Sequence, residues 1–400
     1  MGQFVSLIGD RISIAVFISL VATIVGGENS WTANLLIVMQ YLPLFLFGYL
    51  FGCIADFYNK RNLMILSDMI RGFAILIVFF FHTNLYVIYA SVFLLGVGYA
   101  LFEPSRKSIL PFIIPKEKLV SWNKIYAALE VVAILVGLAV GAFLLQIISI
   151  KTALLVDFST YLVSILLLLF IRYSDLDFDT LADSTEKIEK KSLKHIDEIK
   201  QGIKYVASNV NVKVVFVMVF FHYLSCSLFF TAITEFVIKT TTDTMQVGPI
   251  VNAYLLLITI GALISYPLLN YLKKMNDTLL THYLLGIGTL ILVVLNILFY
   301  FFPNGGNFYG FEILLVLVGI AVGAQYLRFL YIIQLNTVKR FLGRTLAVYE
   351  LVLSLVLVFG LVMGSYLNAL FGYNIVFMII TALYFSAFLY LQTVKHKITW

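Results

Sequence analysis

Apolar runs of about twenty residues recur from one end of this chain to the other, separated by short stretches rich in Gly, Pro, Asn and charge. A bilayer core about 30 Å thick needs about 20 apolar residues for one helical crossing, so the runs have the length of membrane spans. Lipid offers no partner to an unpaired backbone group, which leaves helices or a closed barrel. Segments such as YLVSILLLLFI lack the alternation of a barrel strand. Only 12% of the 400 residues are charged and 62% are hydrophobic, against about 25% charged in a soluble domain. An all-α integral membrane protein is expected.

The length rule places twelve crossings, at roughly 3–25, 31–54, 62–82, 85–104, 124–149 and 152–172, then roughly 213–238, 247–272, 278–302, 310–333, 345–370 and 373–394. The expected organisation is an N-terminal six-helix bundle over 1–172, a linker over 173–212 and a C-terminal six-helix bundle over 213–400. The first apolar stretch is long enough to remain as a crossing rather than a cleaved signal. It begins almost at Met1, where a short basic leader is expected. In the polar linker, Leu193, Ile196, Ile199, Ile203 and Val206 recur every three to four residues. That spacing predicts an amphipathic helix on the membrane surface.

Lys and Arg divide unevenly between the two sets of loops. Lys60 and Arg61, the Arg106 to Lys124 group, the linker, Lys273 and Lys274, Lys339 to Arg344 and the C-terminal lysines fall on one side; Lys151 and Lys239 fall on the other. The positive-inside rule makes the richer side cytoplasmic, with both termini inside. The net charge of +6 is then topological, and no nucleic-acid partner is expected. Cys53 and Cys226 are too isolated for a disulfide framework or a metal site and read as small buried hydrophobes.

The halves echo each other. GCIADFYNKRN follows the second crossing and YPLLNYLKKMN the eighth, with Asn270 opposite Asp56. LLGVGYALF in the fourth is matched by LVGIAVGAQYL in the tenth, with small residues spaced for close helix contact. Two parallel repeats about an axis normal to the membrane would leave such a trace.

On these residues the chain resembles the major facilitator superfamily, in particular the drug:proton antiporter branch that includes macrolide efflux pumps and some siderophore exporters. That family's loop pattern is approximately G-x-x-x-D-(R/K)-x-G-(R/K)-(R/K), and Gly52, Asp56, Lys60 and Arg61 stand at its positions. Phe57 replaces a base and Asn59 a glycine. Asn59 is expected to supply the left-handed turn, and Gly52 to let the second crossing end close to a neighbour. SLIGD, FEPSRKSILP and LGRTLAVYE also look like the branch, whereas the fifth crossing keeps Gly137 and Gly141 of the antiporter motif without its proline. The resemblance implies two six-helix bundles with pseudo-twofold symmetry, a plasma-membrane location, a proton gradient in place of a cofactor, and a monomer. It also implies that Asp56, with Lys60 and Arg61, latches the cytoplasmic side against the start of the eleventh crossing, a helix end that favours an acid.

A charge in mid-bilayer costs about 2.5–3.5 kcal/mol even on the lenient insertion scale, so each needs a partner, a wet cavity or a role. Asp68 and Arg71, three apart, are expected to pair along one helix face and to join the cytoplasmic gating cluster. Proton-coupling candidates are Asp10, Glu130 and Glu350, the last two equivalent under the repeat. Asp157 is given a structural role, and Arg11 and Arg328 could meet charge on a substrate. By the resemblance, Tyr41, Asp157, Tyr161, His222, Tyr254, Gln325 and Tyr326 fall on crossings that line the transport cavity. There is no G-x-x-x-x-G-K-[ST] loop and no H-E-x-x-H or G-x-S-x-G arrangement. The chain therefore reads as a transporter, not an enzyme. The expected function is proton-coupled export of a small amphipathic molecule of macrolide type. A siderophore or metallophore cargo is the alternative, with a lipid flippase, an importer or a scaffold behind it.

Overall fold

The computed structural model describes residues 2–25, 30–113, 132–141, 143–170, 200–272, 277–301, 310–338 and 341–398. The regular elements among the described residues are all helical, with a short 3-10 turn at Thr244–Gln246 and helical residues at 200–208 beside the longer helices. They are α1 (Gly2–Val25), α2 (Ser30–Phe57), α3 (Lys60–Phe81), α4 (Leu85–Ile113), α5 (Val132–Ile147), α6 (Ile150–Leu169), α7 (Val210–Thr240), α8 (Val247–Leu272), α9 (Asp277–Phe301), α10 (Gly310–Asn336) and α11 (Leu342–Val394). Nine of the described helices are long and apolar enough to span a bilayer, and shorter apolar helices, Asn34–Gly48 and Val132–Ile147, lie where the second and fifth crossings are expected.

α11 covers 53 residues, about 80 Å if it were one straight helix, far more than one bilayer. It is broken at Gly372, whose φ of 77° and ψ of 164° are not helical. Only glycine takes that backbone region without strain. The break falls between the expected eleventh and twelfth crossings.

Two helices run further than expected. α4 continues past 104 to Ile113, which brings Arg106 into the helix as a partner of Glu103 at 2.7 Å, both nearly buried. α7 continues to Thr240, where Lys239 lies 2.9 Å from the buried Glu235. In both cases spacing of three or four residues lets acid and base satisfy each other without leaving the helix.

The connection between α2 and α3 departs from the sequence expectation. Asn59 has φ −58° and ψ 111°, outside the left-handed region, and its side chain accepts a hydrogen bond from the Asn62 backbone N–H at 3.0 Å. It caps α3 rather than forming a left-handed turn, and capping is a task for which Asn is as well suited as Ser or Asp. Nothing described lies within 4 Å of where a Cβ on Gly52 would sit. Among the described residues, then, no close helix approach is seen at Gly52.

The described helices fall into two compact units. The first holds α1, α2 from Leu35, α3 to α6 and Asp243–Ala253, and the second holds 30–34, 200–242 and 254 onward. In the first, α3 packs on α4 and α6, and α1 on α6. Gly137 and Gly141 let α5 approach α1 closely, since a Cβ on Gly137 would come within 2.7 Å of Arg11 Cβ and one on Gly141 within 3.2 Å of the Arg11 carbonyl. In the second unit α7 packs along α11, and α9 on α10 and α11.

Residues 200–208 form helical turns leading to α7. Their described contacts are with the connection between α10 and α11. Val206 is buried but Ile203 is exposed, while the Tyr205 ring stacks on Phe341 at 4.8 Å. The Arg344 guanidinium donates to Gln201 Oε1 at 2.8 Å, and the Val338 N–H to the Tyr205 hydroxyl at 3.2 Å. This end of the linker is thus held by the α10–α11 connection through aromatic and polar contacts. Leu193, Ile196 and Ile199 lie outside the described residues.

Candidate functional site

Three helices of the first unit bring five expected residues together. α1 supplies Asp10, α3 supplies Asp68 and Arg71, and α6 supplies Asp157 and Tyr161. Arg71 is 3% exposed and its guanidinium bridges two acids: Nη2 pairs with Asp68, and Nη1 lies 3.4 Å from Asp10 Oδ2. The guanidinium carbon lies over the rings of Phe102 and Tyr161, 4.9 Å from each centroid. Such stacking suits the weakly hydrated guanidinium better than an ammonium. The Tyr161 hydroxyl donates to the other oxygen of Asp10, and the Ser164 hydroxyl to Asp68 Oδ2 at 2.6 Å.

Asp157 is fully buried one turn from Tyr161 on α6. The Ser13 hydroxyl donates to its Oδ2, and the Thr160 hydroxyl is 3.3 Å from its Oδ1. Among the described residues it has no ion-pair partner. The cluster therefore holds three carboxyl groups against one guanidinium, away from bulk water. A carboxyl held by hydroxyls alone can gain or lose a proton without breaking an ion pair, because a hydroxyl can donate or accept. A cavity of about 30 Å³ touches Asp10, Ser13, Arg71 and Tyr161, room for a water molecule between them.

Local sequence explains why these groups can meet. Asp157, Thr160, Tyr161 and Ser164 follow one another at three, four and seven residues, a polar stripe on one face of α6. Asp10 and Ser13 do the same on α1. On α4, Gly98 leaves room for the Arg71 stem; a Cβ there would lie 2.5 Å from Arg71 Cγ. The Gly98 carbonyl accepts from the Ser67 hydroxyl at 2.6 Å. Ser13, Phe102, Thr160 and Ser164 were not anticipated, although the stripe on α6 was the signal that could have found Thr160 and Ser164. The Glu103–Arg106 pair was also missed, and its signal was the same three-residue spacing that identified Asp68 and Arg71.

Only part of the expected gating cluster lies among the described side chains. Asp68 and Arg71 pair as expected, but the contacts described for them are with α1, α4 and α6 inside the bundle. Lys60 is buried at the start of α3 and Arg61 is half-buried beside it. Asp56 lies within α2, its side chain outside the described residues, as is that of Glu350 in α11; Glu130 lies outside them altogether. Arg11 packs its stem on Gly137, and its carbonyl accepts from Asn252 at 3.1 Å. Tyr41 is half-buried in α2.

In the second unit His222 on α7 is buried, with Nδ1 3.1 Å from both Gln325 Oε1 on α10 and the Tyr384 hydroxyl on α11. Tyr384 was not anticipated. Tyr254 packs edge-on against Phe311, with ring centroids 5.2 Å apart. Arg328 is buried and lies 5.5 Å from the Tyr331 ring. Tyr326, on the same helix as Gln325, is 41% exposed.

A family model described as Major Facilitator Superfamily matches residues 1–296, well over half of the chain. The chain belongs to the Major Facilitator Superfamily. Macrolide efflux protein A of Streptococcus pyogenes is 21% identical over 384 residues, covering 93% of this chain and 89% of that protein. Macrolide efflux protein A of Enterococcus faecalis is 21% identical over 335 residues, covering 81% and 97%. Among solved structures, a bacterial homologue of the iron transporter ferroportin in its inward-facing state superposes with a TM-score of 0.72 at 13% identity, covering 98% of this chain and 96% of that one. A POT family transporter in complex with 5-aminolevulinic acid gives a TM-score of 0.72 at 12% identity, covering 100% and 96%. At such identities the structures establish the fold alone. As a Major Facilitator Superfamily member the chain is a multi-pass membrane transporter of a small-molecule substrate, not an enzyme.

Proposed function

We propose that this transporter exports a small amphipathic organic molecule by alternating access, driven by proton entry. The observation that carries the reading is the excess of carboxyl groups over bases among Asp10, Asp68, Arg71 and Asp157, of which all but Asp10 are buried. Arg71 holds Asp68 in a fixed pair, while Asp10 keeps a longer contact and is 18% exposed beside the small cavity. In this reading Asp10 takes the proton, Tyr161 and Ser13 connect it to Asp157, and protonation weakens the hold of α3 on α1. A coupling of this kind needs only a differential of a few kcal/mol to shift a two-state equilibrium. Glu130 and Glu350 are retained as further proton sites.

The proposal includes twelve crossings in two six-helix halves, a monomer in the plasma membrane, and both termini in the cytoplasm. Gly52, Asp56, Lys60 and Arg61 form the cytoplasmic gate. The similarity to macrolide efflux proteins supports efflux of a bulky organic molecule of that type. A second reading, export of a siderophore or metallophore, is supported by the buried guanidinium of Arg328, which suits an anionic group on the cargo.

Inverted vesicles loaded by an imposed pH gradient test the coupling, with radiolabelled erythromycin as the probe. Wild-type accumulation should depend on the gradient, and Asp10→Asn together with Asp157→Asn should abolish that dependence. Full retention of the dependence in the double variant would falsify the assignment. Comparing a deletion strain for macrolide sensitivity and for iron- or zinc-limited growth separates the two cargo classes.

A further inference from the structure

The second unit contains a cavity of about 160 Å³ that plays no part in the carboxylate cluster. Its wall is built from α7, α8, α9, α10 and the second arm of α11, and its apolar side chains include Phe229, Ile258, Leu292, Val318 and Ile380. Among the described residues no charged side chain lines it. Three polar side chains belong to the wall, and each is already engaged. The Ser225 hydroxyl donates to the Phe221 carbonyl at 2.8 Å, the Tyr384 hydroxyl is 3.1 Å from His222 Nδ1, and the Cys226 thiol is 3.8 Å from His222 Nε2. Water needs two to four polar partners to occupy such a space, and the wall offers it only the remaining acceptor capacity of two hydroxyls and a thiol already bonded to the protein. A dry cavity of about this size, about 150 Å³ in an engineered core of another protein, binds benzene.

We propose that this cavity is a binding site for a neutral hydrocarbon group, an aryl ring or branched alkyl of about six to ten carbon atoms. A charged or strongly hydrogen-bonding group would lose its hydration there without finding a partner. The site lies wholly within the second unit, so it does not depend on proton coupling or on the direction of transport. Two sources offer the required chemistry, a free small aromatic molecule and the end of a lipid acyl chain.

The test is photolabelling of the purified full-length chain in detergent micelles with phenyl(trifluoromethyl)diazirine. On irradiation this probe loses dinitrogen, and the resulting carbene inserts into a neighbouring C–H bond. Incorporation should saturate with probe concentration and map by peptide mass spectrometry to the α7 and α10 segments around Phe229 and Val318. Ala321→Phe and Val322→Phe, which fill the space, should each lower it at least five-fold, while Leu292→Ala, which enlarges it, should keep it. The elution profile of each variant confirms that it is folded. A carboxylate-bearing analogue of the probe should give no saturable labelling. Incorporation that rises linearly and evenly over all lipid-facing segments, that persists in both filled variants, or that is equal for the charged analogue would overturn the proposal. Repeating the labelling in phospholipid nanodiscs distinguishes the sources. Retention there identifies a free aromatic as the occupant, and loss there with saturation in micelles identifies an acyl end; both outcomes support a hydrocarbon site.

Discussion

Replacing Arg71 by Met removes the one guanidinium that serves Asp68 and Asp10 while keeping most of its apolar stem. Asp68 is fully buried and Arg71 is 3% exposed, so their charges cannot be rehydrated in place. Removing one partner of a buried pair costs about 3–5 kcal/mol because the other charge is left uncompensated. Loss of the two ring contacts at 4.9 Å adds about 0.5–1 kcal/mol each. The total, about 4–7 kcal/mol, corresponds to a fall of roughly 8–28 °C in the unfolding midpoint of a unit this size. Adding Asp68→Asn to the same chain takes away the orphaned charge and leaves an unsatisfied amide, a smaller cost of about 1–3 kcal/mol. The double variant should therefore be more stable than Arg71→Met alone. Thermal unfolding in detergent, followed by fluorescence-detected size exclusion, measures Arg71→Met, Asp68→Asn alone and the double variant. An Arg71→Met midpoint within about 2 °C of wild type, or purely additive losses in the double variant, would refute the reasoning.

Gly98→Val should destabilise by about 1–3 kcal/mol, because its Cβ would fall on the Arg71 stem; the same unfolding assay checks it, and Gly52→Ala, with open space around it, serves as the neutral control. Gly372→Ala should cost about 1–3 kcal/mol through its positive φ alone, with nothing described in contact with the new methyl. Tyr205→Ala removes the stack on Phe341 and the contact with the Val338 N–H, a loss of about 1–3 kcal/mol. Limited proteolysis should then cut near 200–208 well before the crossings, and an unchanged digestion pattern would count against docking.

The sequence by itself was sufficient for the class of fold and for most helix positions. Helical crossings follow from a local rule, since bilayer thickness dictates run length and lipid forbids an unpaired backbone. The pairing of Asp68 with Arg71 was legible for a similar reason, because both stand on one helix three residues apart. The errors also lie where local rules compete. Asn59 is suited both to a left-handed turn and to a helix cap, and the requirement for a donor-satisfying group at the start of α3 selected the cap. Arg106 read as a loop base until Glu103 allowed the helix to continue through it.

Only the tertiary structure decided that Asp10, Asp157 and Tyr161, well over a hundred residues apart along the chain between α1 and α6, share one network with Arg71. Their spacing on each helix defines a polar stripe, but a stripe does not say which other stripe it faces. That choice depends on how α1, α3, α4 and α6 pack, and small residues such as Gly98 set how closely they can do so. The apolar cavity beside His222 is likewise invisible in the sequence, because a void is the shape left between five helix surfaces and no single segment encodes it.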